Sequence, residues 1–96
     1  MTFKYILKKQ RKEIYQIASL YGAHNIRVFG SVNKESDKPD SDVDFLVDLE
    51  KDRSLFDLAG LIYDLQRLLN KKVDVVTENG LHWYIKDKIL SEAEPL

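Results

Sequence analysis

Apolar residues recur at helical spacing from the start of the chain, with Phe3, Ile6, Leu7, Ile14, Ile17, Ala18 and Tyr21 on one face and Gly22 at a favoured stop position. The spacing predicts one helix over about 2–21. A short branched and aromatic run follows at 26–29, and Gly30-Ser31 breaks it. The polar stretch 32–41 contains Pro39 and reads as a loop, after which 42–48 alternates as a strand should, with Val43, Phe45 and Val47 on one face. Ser54 and Asp57 have capping-box spacing, and Leu55, Leu58, Ile62, Leu65 and Leu69 form a 3.6-residue stripe behind them. Asn70 suits the end of that helix. A third strand at 73–77, a turn at Glu78-Asn79-Gly80 and a last amphipathic helix over about 82–91 complete the pattern. The order helix, strand, strand, helix, strand, helix predicts an α/β (α+β) fold with a small mixed sheet of about three strands, covered mainly on one face.

Size and composition narrow this picture. With 96 residues, residues 1–96 are expected to form a single domain around one core. A hydrophobic fraction of 44% beside 32% charged residues matches an ordinary globular protein that folds in water. No apolar run is long enough to span a membrane, and the N-terminal Met-Thr-Phe-Lys-Tyr carries neither a signal-peptide h-region nor a lipidation pattern, so a cytoplasmic location is expected. The absence of cysteine excludes disulfides and thiolate metal sites, leaving oxygen ligands or the two histidines for any cation. A net charge of -1 gives no overall attraction for nucleic acid.

Gly30-Ser31, a ten-residue gap and then Asp42-x-Asp44 carry the candidate chemistry. Carboxylates at i and i+2 on a strand project from one face with Cα atoms roughly 6.5 to 7 Å apart. That distance lets their oxygens share ions. Magnesium takes oxygen ligands and combines a few carboxylates with substrate phosphates, so a strand-borne pair beside a phosphate-binding turn suits it. Asp74 near the start of the third strand adds a third carboxylate, and three can support two metals about 3.5 to 4 Å apart. Asp42 and Asp44 are expected to serve both ions, with Asp74 on the nucleophile side, where it can also help remove the acceptor proton. Gly30 lets backbone N–H groups approach a triphosphate, and the Ser31 hydroxyl can donate to a phosphate oxygen. A lone Gly-Ser is commonly a turn and a lone Asp-x-Asp is commonly strand decoration, but four specified positions at fixed spacing occur by chance in about one chain in a thousand of this length. The alternative reading of Asp40-x-Asp42-x-Asp44 as a calcium loop fails at position 6, where Phe45 replaces glycine, and at position 12, where Lys51 replaces glutamate.

The run Phe29-Gly-Ser-Val-Asn-Lys-Glu-Ser-Asp-Lys-Pro-Asp-Ser-Asp-Val-Asp-Phe-Leu-Val47, with Val73-Asp-Val-Val76 behind it, resembles the minimal nucleotidyltransferases (MNT) of the DNA polymerase beta superfamily. The tail from Asn79-Gly-Leu-His82 through Lys86-Asp-Lys-Ile-Leu-Ser-Glu-Ala93 is also similar, so the likeness extends from about Ile26 to the C-terminus. The resemblance implies a polymerase-beta-like core, magnesium with ATP as donor, and the antitoxin of a type VII-like toxin-antitoxin pair whose partner is an all-helical HEPN ribonuclease. In that family the antitoxin adenylylates a tyrosine of the toxin. The resemblance carries catalysis and metal binding onto Asp42, Asp44 and Asp74, and nucleotide binding onto Gly30 and Ser31. One departure stands out: many members have Ala-Arg-Gly where this chain has Asn33-Lys34-Glu35. A carboxylate near a triphosphate is repelled unless it points away, and Lys34 could supply charge only as a point donor.

The small size also favours an acceptor that brings its own surface over a self-contained enzyme that modifies antibiotics or extends RNA. The competing reading is a non-catalytic antitoxin that neutralises its partner by binding alone; a structural domain binding a divalent ion is a third. Lys4, Lys8, Arg11 and Lys12 form a basic helix face, read as solvated, and direct nucleic-acid binding is not expected because no aromatic residues interleave with the charges. His24 and His82 lack metal-ligand spacing and read as structural. Trp83 and Tyr84 are expected to pack against the sheet.

Overall fold

The computed structural model describes residues 2–96. The first helical pattern divides in two, α1 at Phe3–Lys9 and α2 at Arg11–Leu20. The predicted single helix breaks at Gln10 (φ -97°, ψ 15°) because Gln10 and Arg11 fill the turn where the apolar stripe would continue. Leu7 and Ile14, on either side of the break, are both fully buried. Strand β1 spans Ala23–Phe29 and starts earlier than the sequence suggested. A bulge hides the alternation: the register with the next strand shifts between His24 and Arg27, and Asn25 adopts φ +52°.

The supposed loop after β1 opens with a one-turn helix, α3, at Gly30–Asn33. Strand β2 covers Val43–Leu49 and helix α4 covers Leu55–Leu69. The capping box forms as expected, with Ser54 Oγ accepting from Phe56 N at 3.2 Å and Asp57 Oδ2 accepting from Ser54 N at 2.9 Å. Asn70 closes the helix in the left-handed conformation, φ +52°. Such caps contribute about 1 kcal/mol each. Leu58, Ile62, Leu65 and Leu69 face the core, but Leu55, the first residue of α4, is 82% exposed.

Strand β3 at Val73–Thr77 runs parallel to β2, as the intervening α4 crossover allows, and a 3₁₀ turn at Glu78–Gly80 leads to α5 at Trp83–Glu92. A two-residue strand, β4 at Glu94–Pro95, pairs antiparallel with β1 and gives the sheet order β3-β2-β1-β4. The sheet thus has four strands, one beyond the three expected. Val28, Val43, Phe45, Val47, Val73 and Val75 form its inner face and pack with Leu7, Ile14, Ala18, Leu61, Leu65 and Leu69 from the helices. Each fully buried Leu, Ile or Phe contributes about 2 kcal/mol. The opposite face of β2 carries Asp44, Leu46 and Asp48, with Leu46 fully buried beside Arg27 and Asp44 half-buried. No described helix is long and apolar enough to cross a membrane.

Candidate active site

The face of the sheet opposite the core gathers the predicted acidic residues at the start of β2 and β3. Asp44 pairs in register with Phe29 of β1 on one side and with Asp74 of β3 on the other. Neighbouring strands lie about 4.8 Å apart, so the two carboxylates sit side by side. Asp42 immediately precedes β2, two positions before Asp44 and therefore on the same side of the extended chain. Val43 between them is fully buried and its N–H donates to Lys72 O at 2.9 Å, which ties the two strand starts together.

Gly30 belongs to the same place. It adopts φ +77°, and a Cβ there would run into the Asp44 carboxylate, whose Cγ would lie 3.2 Å away. Glycine is thus required twice, by conformation and by the close approach of Asp44. Ser31 follows in the first turn of α3, whose cap residue Phe29 offers no side-chain hydrogen bond to the turn's N–H groups. Those N–H groups lack intrahelical partners by the geometry of any helix start and suit an anionic oxygen.

No counter-cation balances the acids: among the described residues, Asp42, Asp44 and Asp74 form no ion pair. Burial first, then the charges of Asp74 and Asp42, push the Asp44 carboxyl from 3.8 up to about 6. A cation is the natural remedy for such repulsion, and three oxygen-donor groups fit a hard ion such as magnesium. Among the described residues no three acidic or histidine side chains stand close enough together to hold a metal ion by themselves.

The departure at 33–35 resolves in a particular way. Glu35 takes φ +58°, a left-handed conformation that glycine adopts freely. Its exposed side chain borders a shallow depression of about 270 Å³ with Thr2, Lys4, Tyr5 and Lys8, toward α1. Lys34 does not stand free for phosphate but pairs with Glu92 at 3.4 Å. Asn33, which looked like part of a loop, is buried.

Other expectations need correction. Asp44 is an interior position of a strand paired on both sides, which rules out the calcium-loop geometry. The basic helix face is split by the break at Gln10, and Lys4 leaves it to donate to Asn33 O at 3.1 Å. Trp83 and Tyr84 do not pack against the sheet; they are 79% and 66% exposed and pack edge-on against each other, ring centroids 5.7 Å apart. Helical periodicity alone did not say that α5 buries no residue. His24 pairs with Glu50 at 2.5 Å, and His82 stacks at the start of α5.

Arg27 was missed by sequence reasoning. It is 9% exposed on the same face of the sheet and bonds Glu78 Oε1 at 2.9 Å, Asp48 Oδ1 at 3.0 Å and Asn25 O at 3.0 Å. A charged residue inside the apolar run Ile26–Phe29 was the available signal. A cleft of about 390 Å³ opens at this end of the strands, lined by Asp48, Leu49, Glu50, Thr77, Glu78 and Asn79. The unpaired carboxylates do not line it. The acids of the cleft are already served by Arg27 and Arg53.

A Methanocaldococcus jannaschii protein with the provisional name of protein adenylyltransferase is 40% identical over 83 residues, covering 86% of this chain and 89% of the relative. A solved structure provisionally described as a minimal nucleotidyltransferase superposes with a TM-score of 0.88 at 38% identity, covering 100% of this chain and 97% of the other. A crystal structure of a toxin-antitoxin with AMP-PNP shares the fold at 17% identity, with a TM-score of 0.75 over 88% of this chain and 69% of that one. Residues 6–96 match the family described as the nucleotidyltransferase domain, and the chain belongs to that family.

Proposed function

We propose that residues 1–96 act as a single magnesium-dependent adenylyltransferase domain that transfers AMP from ATP to a tyrosine of a partner toxin, a helical HEPN ribonuclease, and so serves as its antitoxin in the cytoplasm. The observation that carries this reading is the trio Asp42, Asp44 and Asp74, unpaired and mutually repelling beside Gly30 and Ser31. The names of the adenylyltransferase relative and of the toxin-antitoxin fold neighbour support the choice of reaction and partner.

Magnesium, when bound by Asp42, Asp44 and Asp74, would neutralise the triphosphate and favour departure of pyrophosphate. The chain's own residues do the rest. The N–H groups at Gly30 and Ser31 and the Ser31 hydroxyl hold the phosphates that leave. Asp74, exposed at the outer side of Asp44, faces the incoming hydroxyl and receives its proton. The acceptor oxygen then bonds to the α-phosphorus as the bond from that phosphorus to pyrophosphate breaks. The carboxylates do not line the 390 Å³ cleft, which supports an acceptor whose own surface encloses the reaction. Exposed aromatics such as Phe56 at 89% and Trp83 at 79% are of the type enriched at protein interfaces and support a protein acceptor.

One observation favours the non-catalytic alternative: Lys34 is committed to Glu92, which removes a cation from the phosphate turn. Intact-mass measurement of a candidate helical toxin incubated with the chain, ATP and magnesium decides between them. Catalysis predicts a gain of one or more AMP units that disappears with Asp42→Ala/Asp44→Ala. Tight association with unchanged mass would leave neutralisation by binding alone.

A further inference from the structure

The turn that carries Gly30 and Ser31 is a four-residue helix, far too short to be stable alone. Gly30 fixes its start against Asp44. Its other end is held by contacts from both ends of the chain. Asn33 Nδ2 donates to Glu92 O at 3.0 Å and to Glu94 Oε1 at 3.3 Å. Lys4 donates to Asn33 O at 3.1 Å and lies 3.7 Å from Glu94 Oε2, while Lys34 pairs with Glu92 at 3.4 Å. The segment that receives these bonds is itself anchored to the sheet, since Glu94 pairs with Val28 and Leu96 N donates to Ile26 O at 3.0 Å.

Asn33 is 7% exposed, and its Oδ1 is buried without a hydrogen-bond partner. An amide with half its capacity unsatisfied is a poor choice for packing alone, because a small apolar residue would fill the site without that penalty. What the amide provides is the pair of bonds to the C-terminal segment.

We infer that Asn33 is a positioning residue for the phosphate-binding turn, and that Glu92–Glu94 with Lys4 forms a strap setting the placement of Gly30 and Ser31 relative to Asp44. The inference rests on the proposed nucleotide site. None of the strap's bonds involves Asp42, Asp44 or Asp74, so its loss alters how the triphosphate is seated more than the transfer step itself.

Two measurements on the full chain test it: amide hydrogen exchange without nucleotide, and magnesium-ATP kinetics, in the wild type, Asn33→Ala and Asn33→Asp. Loss of the two amide bonds is expected to speed exchange about tenfold at residues 31–35 while leaving β2 and β3 unchanged. The KM for ATP is expected to rise about tenfold in Asn33→Asp, with kcat within about threefold. Adding Glu94→Gln to Asn33→Asp supplies a donor to the new carboxylate and is expected to recover most of the lost affinity. Unchanged exchange at 31–35, or altered exchange with wild-type KM, would overturn the assignment. A wild-type chain that binds no magnesium ATP would defeat the nucleotidyltransferase reading, while the exchange result would still decide whether Asn33 holds the turn.

Discussion

Strands β2 and β3 carry acids at both ends of one sheet face, and the two ends are built on opposite principles. At the far end, Asp48 and Glu78 share the buried guanidinium of Arg27, and Glu50 sits between His24 and Arg53, whose bonds hold its carboxyl below the usual range. At the near end, Asp42, Asp44 and Asp74 have no ion-pair partner among the described residues, and the Asp44 carboxyl rises to about 6. Nearly the same chemical groups on the same strands are satisfied in one place and left in conflict in the other. Pairing offsets the charge of an acid, whereas repelling acids cost stability and persist where something else supplies the charge. The 390 Å³ cleft lies at the satisfied end, so volume and charge point to opposite ends of the sheet.

Breaking the near end should have the largest effect. Asp42→Ala/Asp44→Ala is expected to reduce AMP transfer by at least about a hundredfold with the fold intact, checked by rate measurement beside circular dichroism. At the far end the effect should fall on stability instead. Arg27→Met leaves Asp48 and Glu78 without their cation, and because their side chains are 50% and 36% exposed the expected loss is about 2 kcal/mol, below that of a fully buried pair. Urea unfolding measures it.

Asp44→Asn sharpens the contrast in the other direction. The folded pKa of Asp44 is raised, so the native state binds more protons than the unfolded chain between pH 3.8 and about 6. The ionised carboxylate thus destabilises the protein above about pH 6, and that cost disappears as pH falls through the unfolded value. Discounted for solvent screening, Asp44→Asn should gain about 1 kcal/mol at pH 7 to 8 in magnesium-free buffer, with the gain vanishing below about pH 4. A gain that persisted at low pH would mean that the strain is steric and not electrostatic. The smallest expected effect is at Glu35→Gly, where relief of the positive φ should add about 0.5 to 1 kcal/mol in thermal unfolding.

The near end was legible because its signals are local. Asp42-x-Asp44 lies in an alternating strand, Gly30-Ser31 punctuates the strand before it, and Val73-Asp-Val-Val76 reads as a strand that the Leu58–Leu69 helix can bring alongside. Features set by distant partners were not legible. Arg27 acquires its meaning from residues 21 and 51 positions away. Strand β4 is two residues, one of them proline, and exists only because the edge of β1 is free to pair. Asn33 looked like loop until Glu92 and Glu94 arrived beside it. The break at Gln10 was written as two polar residues in the stripe, but a gap of one turn is easily bridged when a helix is read by period alone.

The measurement that tests the contrast between the two ends most directly is a calorimetric titration of magnesium ATP into three proteins: the wild type, Asp42→Ala/Asp44→Ala, and Asp48→Asn/Glu78→Gln. Binding that survives in the far-end variant and vanishes in the near-end variant is the predicted result. Binding lost at the far end and retained at the near end would place the nucleotide in the 390 Å³ cleft and contradict the account.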